Sequence, residues 1–324
     1  MATYNGAQYI QEQLQSFVDQ TRQPDELIIT DDCSSDETEA IVREFAKTAP
    51  FAVEFHRNEK NFGYCGNFNA ALMKTTGDLV FLSDQDDVWF PDKIEHMIGV
   101  AERNPQALVV MNDAALTDGE LNEVGLTKLG QIRSAGFSMK AFVMGCCCAV
   151  RRELLDFCMP IPAGIKGHDN WIVGFAEAVN GKFVENRVLQ YYRRHETNES
   201  QFLVNRTTKV TRRHAQIHLL LQSGKSLKNL FDGNSRQRES DWIAQQQMRI
   251  DGIQQVLSAA PEKYRGRICE MLDKAENNAK IYKLRIGVRE KRILPRIFAT
   301  LGLLFRGGYR NTQGLKAVLR DLMG

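Results

Sequence analysis

Two apolar runs that end in carboxylates constrain this chain most. Asp25-Glu26-Leu27-Ile28-Ile29-Thr30-Asp31-Asp32 and Asp78-Leu79-Val80-Phe81-Leu82-Ser83-Asp84 are apolar at consecutive rather than alternate positions. That pattern predicts strands buried on both faces. Helical spacing follows each run. After the first come Ala40, Ile41, Phe45 and Ala46, with Ser34 as the expected cap. After the second comes Lys93 to Ile98, with Pro91 expected in the first turn. Ala52–Phe55 and Leu108–Met111 read as further strands, and Asn67–Lys74 as a helix closed by the turn Thr76-Gly77. The alternation predicts an α/β domain with a mostly parallel sheet and helices on both faces. Ligands bind such sheets at the carboxyl ends of the strands, where both acid clusters fall. Tyr4-Asn5-Gly6 reads as the turn after a first strand, so that strand is short or begins upstream of this sequence.

Four clusters can carry chemistry. Asp84-Gln85-Asp86-Asp87-Val88-Trp89 places three carboxylates within four residues. Such groups repel one another unless a cation or donors neutralise them, and hard oxygens suit Mg²⁺ or Mn²⁺. A solvated acidic turn capping the next helix is the plain alternative. Asp31-Asp32-Cys33-Ser34-Ser35-Asp36 either caps a helix through Ser34 or Asp36, or accepts hydrogen bonds from a base or ribose through Asp31 and Asp32. Gly167-His168-Asp169-Asn170-Trp171 opens a helix, where Asp169 is either a cap or a reactive carboxylate. Tyr191-Tyr192-Arg193-Arg194-His195-Glu196-Thr197-Asn198 suits phosphate through its arginines, and a metal or phosphate oxygen through His195. A charged strand end is the plain alternative there.

From about residue 205 long helical stretches take over, among them His214–Leu221, Trp242–Leu257 and Ile268–Ile286. Charge divides the same way. From Lys280 onward eleven basic residues oppose Glu290 and Asp321, a net +9, which leaves −7 for the rest of a chain that totals +2. A basic tail on an acidic body points to an anionic surface. Within it, Ile293–Phe305 is apolar and flanked by bases, as interfacial membrane segments are; a solvated helix face or packing against another subunit are the alternatives. Nucleic acid is not expected, because no reading motif accompanies the charge. No run of eighteen apolar residues predicts a spanning helix, and no signal peptide is expected at the start. Seven cysteines without a Cys-x-x-Cys pair argue against a zinc site and for a reducing compartment.

Taken in order, Thr3-Tyr4-Asn5-Gly6, the Asp-Asp-x-Ser-x-Asp run at 31–36, Asn61-Phe62-Gly63 with Asn67, and Asp84-Gln85-Asp86-Asp87-Val88-Trp89 with Lys93 resemble family 2 inverting glycosyltransferases. The Asp-Gln-Asp-Asp-x-Trp form, Gly145-Cys146, His168-Asp169 and Tyr192-Arg193-Arg194-His195-x-x-Asn198 resemble the bacterial rhamnosyltransferase-like branch, which builds O-antigen and capsular polysaccharides. The resemblance covers about residues 1–200. It implies a GT-A fold, a Rossmann-like mixed sheet, over 1–204; the change of pattern and charge sets a separate helical, basic domain over 205–324. It implies that Thr3, Tyr4, Asn5, Asp31, Asp32, Asn61, Asn67, Asp84, Arg193 and Arg194 bind the nucleotide sugar. Asp84, Asp86 and His195 would hold Mg²⁺ or Mn²⁺, and Asp169 would be the general base. Trp89, Trp171, Gly145 and Cys146 would lie on the acceptor side. Two departures stand out: the first strand is short, and the usual Glu-Asp of the base motif is His168-Asp169.

The implied reaction is a single displacement. Asp169 takes the proton of an acceptor hydroxyl, which attacks the sugar opposite its diphosphate. The implied donor is dTDP-L-rhamnose, with a UDP-hexose as the alternative. The acceptor would be a glycan or a polyprenyl-diphosphate-linked sugar. The protein is expected in the cytoplasm, peripheral on the inner face of the membrane, and as a monomer or homo-oligomer. A sugar-nucleotide nucleotidyltransferase shares the needs of such a site, but its glycine-rich activating loop is missing near the start. A dehydrogenase would need Gly-x-Gly-x-x-Gly after the first strand, and a binding module would not need Asp169.

Overall fold

The computed structural model describes residues 1–196, 198, 200, 202–218, 221, 235–309 and 315–323. Thr197, Arg310 and positions 219 and 220 of the expected helix His214–Leu221 lie outside the described residues. The chain forms two compact units. One is Met1–Ala215 with Ala259–Pro261, the other Gln216–Ser258 with Glu262–Gly324.

The first unit begins with β1 (Ala2–Thr3), α1 (Ile10–Val18), β2 (Glu26–Asp31), α2 (Thr38–Ala46), β3 (Ala52–Arg57) and α3 (Gly63–Leu72). The three strands form a parallel sheet in the order β1-β2-β3. β1 has two residues, yet it is in register, with Ala2 opposite Thr30 and Thr3 opposite Asp31. Ile10, Leu14 and Phe17 of α1 pack with Leu27 and Ile29 of β2 and Val42 of α2. The apolar run therefore does what its composition requires, filling a core on the helix side. Ser34 does not cap α2. Its hydroxyl donates to Asp31 Oδ1 instead, and the helix starts at Thr38, whose N–H donates to Asp36 Oδ1. The helix expected at Asn67–Lys74 begins four residues earlier, because Gly63 (φ +73°) turns the chain into it.

A second sheet contains β4 (Leu79–Phe81), β5 (Val88–Trp89), β6 (Val109–Thr117), β7 (Glu123–Thr127), β8 (Cys148–Arg151) and β9 (Lys182–Arg193). Its order is β4-β8-β6-β9-β5, with β7 beside β6. Only β6 and β9 are parallel; every other pairing in it is antiparallel. The expectation of a mostly parallel sheet, drawn from the alternation alone, is thus corrected to the mixed sheet that the family resemblance implies. Apolar runs report burial and are blind to strand direction. Helices α4 (Lys93–Arg103), α5 (Lys128–Ser134), α6 (Arg152–Cys158) and α7 (His168–Ala178) complete this part. Pro91 precedes α4, outside its first turn, and its carbonyl accepts the Thr21 N–H. β6 runs six residues past Met111, because the buried Asn112-Asp113 is part of the strand: Asp113 Oδ1 accepts the N–H groups of Ala114 and Leu129.

The segment after β9 stays with this unit. Gln131 of α5 donates to the carbonyls of Arg206 and Thr208 and accepts the Val210 N–H. Beyond it lie α8 (212–218), α9 (Ser235–Ala259), α10 (Glu262–Arg289), α11 (Ile293–Phe305) and α12 (Leu315–Met323). Buried Arg285 of α10 donates to buried Asp321 of α12, which also accepts from Tyr309. Among the described residues no helix is long and apolar enough to cross a membrane. All seven cysteines are free thiols.

Candidate functional site

The acid loop after β4 is built by its three carboxylates doing different things. Asp87 is buried. Its Oδ2 accepts from Gln190 Nε2 at 3.0 Å and its Oδ1 from the Arg193 N–H at 3.3 Å, so it ties the loop to β9. Asp86 faces the segment after β9. Its Oδ2 lies 2.8 Å from His195 Nε2 and accepts from Asn198 Nδ2 at 2.9 Å. Tyr9 packs against the His195 ring, with centroids 4.7 Å apart. Asp84 is half-buried, and burial first, then Asp86, pushes its carboxyl up to about 7. Burial, Asp86 and Asp84 push Asp87 up as well. A loop that raises its own carboxyls in this way gains from a cation.

Buried Lys93 opens α4 and secures the other side of the loop. Its ammonium donates to the Cys146 carbonyl at 2.9 Å and to Gln190 Oε1, and lies 3.9 Å from the Trp89 ring centroid. Asp84, Asp87 and Cys146 bring ligand atoms within 4.8 Å of one another. A second possible donor set therefore adjoins Asp86 and His195. A buried thiol whose proton burial retains suits a hard cation poorly, whereas Asp86 and His195, 2.8 Å apart, offer donors better matched to Mg²⁺ or Mn²⁺.

The β1 and β2 ends meet this loop. Tyr4 and Gln85 clasp each other: the Tyr4 N–H donates to Gln85 Oε1 at 2.9 Å, and Gln85 Nε2 donates to the Tyr4 carbonyl at 3.0 Å. The Tyr4 side chain is exposed. Asp31 is fully buried and occupied by Thr3 Oγ1, Ser34 and Arg57. Asp32 Oδ1 accepts from Asn58 Nδ2 and the Phe62 N–H, which leaves Oδ2 without a hydrogen bond among the described residues. The two neighbouring aspartates thus separate into a support and a presenter.

Several residues expected at the ligand sit behind it. Asn67 is buried; it donates to the Thr3 carbonyl and accepts from Asn58. Thr3 is buried, and its hydroxyl donates to Asp31. Asn5 (φ +47°) accepts from the Ser35 N–H, and Asn61 bridges the Asp32 carbonyl and the Gly63 N–H. These four hold the turns that shape the site. Arg193 is 3% exposed and donates to the carbonyls of Asp86 and Gly119 and to Glu12, so its guanidinium is spent inside the protein. Trp89 packs in the core between Phe17 and Phe81, and Trp171 donates to the Cys158 carbonyl beside Phe175. Neither tryptophan presents an acceptor surface. Their bulk makes them core residues, which spacing in a motif cannot distinguish.

Asp169 lies in the first turn of α7. Its Oδ1 accepts the Asn170 N–H at 2.8 Å, and Oδ2 has no hydrogen bond among the described residues. It acts electrostatically on Asp84, which brings it to the same site as the acid loop. The entry to α7 is tightly packed. Gly167 has φ +95°, and a Cβ at Gly145 would lie 2.6 Å from His168 Nε2. His168 stacks on Phe68 with centroids 3.8 Å apart, and burial pushes its imidazole down to about 4. His168 is therefore neutral and fixes the direction in which Asp169 leaves the helix. Sequence reasoning missed Tyr9 and Gln85. Only Gln85 carried a signal, by lying inside the acidic run.

Residues 1–157 match the model of glycosyl transferase family 2. The chain is similar to the dTDP-rhamnosyl transferase RfbG of Shigella flexneri, 28% identical over 220 residues, which cover 61% of this chain and 73% of that protein. It is also similar to an uncharacterized glycosyltransferase of Nostoc sp., 31% identical over 121 residues. That match covers 37% of this chain and about a third of the relative (36%). Among solved structures it is similar to residues 1–349 of TarS from S. aureus in complex with UDP-GlcNAc, with a TM-score of 0.53 at 17% identity, over 87% of this chain and 90% of that one. At that identity the likeness speaks to the fold alone.

Proposed function

We propose that this chain, whose residues 1–157 match glycosyltransferase family 2 and whose fold is of the GT-A kind with a helical C-terminal region, carries out a metal-dependent inverting transfer of a sugar from a nucleoside diphosphate to an acceptor hydroxyl. The observation that carries this reading is the meeting of one bond-free carboxylate oxygen, Asp169 Oδ2, with the self-repelling acid loop at the end of β4. Exposed Tyr4 offers a ring to the base, and Asp32 Oδ2 offers an acceptor to a base N–H or ribose hydroxyl. Asp84, Asp86 and His195 would hold Mg²⁺ or Mn²⁺, which when bound offsets charge on the diphosphate leaving group. Lys93, Gln190 and Asp87 keep the acid loop in place for this. Asp169 Oδ2 accepts the acceptor's proton as the hydroxyl attacks, and Asn170 holds Oδ1 so that Oδ2 stays turned away from the helix. No second nucleophile is required, so one displacement inverts the anomeric centre.

The similarity to RfbG, a dTDP-rhamnosyl transferase, supports dTDP-L-rhamnose as donor; the acceptor in this reading is a glycan or polyprenyl-diphosphate-linked sugar, in O-antigen or capsule synthesis. The test is release of nucleoside diphosphate from dTDP-L-rhamnose and from UDP-hexoses, with and without Mn²⁺. Release from dTDP-L-rhamnose that needs Mn²⁺ supports the full reading. Release from a UDP-hexose alone replaces the donor. Full release in excess chelator removes the metal.

A cytoplasmic, membrane-peripheral location is part of the same reading. On α11, Phe298 is 73% and Phe305 87% exposed, and Ile293 and Leu294 are also exposed, beside exposed Lys291, Arg292 and Arg306. Not every base of the tail contributes, since Arg285 is buried against Asp321 and Arg289 pairs with Glu239. The exposed remainder, next to bare aromatic rings, suits an anionic bilayer surface.

A further inference from the structure

Lys128 is the first residue of α5 and is 2% exposed. Thr127 caps the helix by accepting the Gly130 N–H, and Asp113 holds the Leu129 N–H. The lysine stem is thereby sent into the first unit, where the ammonium lies 5.4 Å from the Phe202 ring centroid and 6.0 Å from that of Tyr192. Among the described residues it has no hydrogen-bond acceptor and no carboxylate partner.

Two effects oppose a positive charge at this place: it is removed from water, and Arg194 is near it. Arg194 lies over the same Tyr192 ring, at 5.5 Å, and is next in sequence to His195, which holds Asp86. Burial, and to a smaller extent Arg194, push the Lys128 ammonium down to about 7, while Cys147, Cys146 and Asp169 act the other way. The groups that act on it are thus the groups of the transfer site. A buried cation beside a second cation, with no carboxylate paired to it among the described residues, is a place for an anion of the ligand.

We propose that Lys128 and Arg194, on the Tyr192 ring, form a phosphate-binding pair that receives a diphosphate group in the transfer site. The inference rests on the transferase reading and adds a binding residue to it. Lysine suits this task as a compact point charge that takes up a phosphate oxygen from several directions. The diphosphate has two possible sources, the nucleotide of the donor or the carrier of a lipid-linked acceptor.

The test uses the full chain with Mn²⁺ and two probes, dTDP for the donor source and farnesyl diphosphate for the acceptor source. Calorimetry compares wild type with Lys128→Met, which keeps the apolar stem, and Lys128→Arg, which keeps the charge. The expected result is an affinity at least about tenfold weaker in Lys128→Met for one of the probes, with substantial recovery in Lys128→Arg. Loss with dTDP assigns the donor diphosphate, and loss with farnesyl diphosphate assigns the acceptor. The ligand-free melting temperature of Lys128→Met should equal or exceed that of wild type, since the variant no longer buries an unpaired charge. A lower melting temperature would make Lys128 a structural support and overturn the proposal. Undiminished binding of every probe that wild type binds would overturn it too, while leaving the transferase reading intact. Wild type that binds neither probe, nor UDP, contradicts the transferase reading itself.

Discussion

Asp87→Asn separates the two donor sets that meet in the acid loop. In the structure Asp87 is a fastener, with one oxygen accepting from Gln190 and the other from the Arg193 N–H. Burial and the neighbouring Asp86 and Asp84 already push its carboxyl toward the protonated form, so removing the charge costs little. Removing an acceptor does cost. Asparagine has one carbonyl oxygen, and its amide then faces a second N–H donor in a site closed to water. One unsatisfied buried donor is worth about 1–3 kcal/mol. For a unit of this size that lowers the melting temperature by about 2–12 °C, at roughly 2–4 °C per kcal/mol. Scanning calorimetry without metal reads this loss, and a Mn²⁺ titration reads the ion. Mn²⁺ affinity should stay within about threefold of wild type, because the proposed ligands are Asp84, Asp86 and His195. An unchanged melting temperature with Mn²⁺ affinity lost would refute the reasoning and make Asp84, Asp87 and Cys146 the metal site.

Three further outcomes follow. Asp86→Ala should abolish Mn²⁺-dependent release of nucleoside diphosphate while the far-UV circular dichroism spectrum stays native; activity near wild type would exclude Asp86 as a ligand. Asp84 has its carboxyl raised to about 7 in the folded state, against an ordinary value near 4. A raised acid favours the folded state at low pH, so its contribution is present below about pH 4 and is lost as pH rises to about 7. Relative to Asp84→Asn, ligand-free wild type should therefore melt at falling temperature across that window. Mn²⁺ affinity should rise over the same window, and a flat difference would reject the shift. Last, Phe298→Glu with Phe305→Glu should abolish binding to phosphatidylserine vesicles at low salt and leave donor hydrolysis intact. Wild-type binding should itself weaken with salt as screening shortens to about 8–10 Å, and wild type indifferent to the vesicles would assign α11 to another partner.

The sequence was legible where burial and position decide the outcome. The carboxylates after Ile29 and Leu82 lie at strand ends as their apolar runs imply, and Asp169 opens a helix as expected. Strand direction was not legible, because Val109–Met111 looks the same whichever way its neighbours Cys148–Arg151 and Phe183 run. Neither was the division of labour among like residues. Asp31 and Asp32 differ only in which neighbours reach them, and Arg193 is consumed by Glu12, 181 residues away in sequence. Lys128 gave no signal at all, since nothing near it in sequence shows that Tyr192 and Phe202 close over it.

The most direct test of the account is the single-turnover rate of sugar transfer by Asp169→Asn, with nucleotide affinity measured alongside. Asparagine keeps the contact to the Asn170 N–H, so the α7 turn survives. It cannot take up the proton of the acceptor hydroxyl. Transfer should fall by about 10²–10⁴, equivalent to about 3–5 kcal/mol of barrier, while affinity for the nucleoside diphosphate stays as in wild type. Transfer at the wild-type rate would contradict the account and place the general base on another residue.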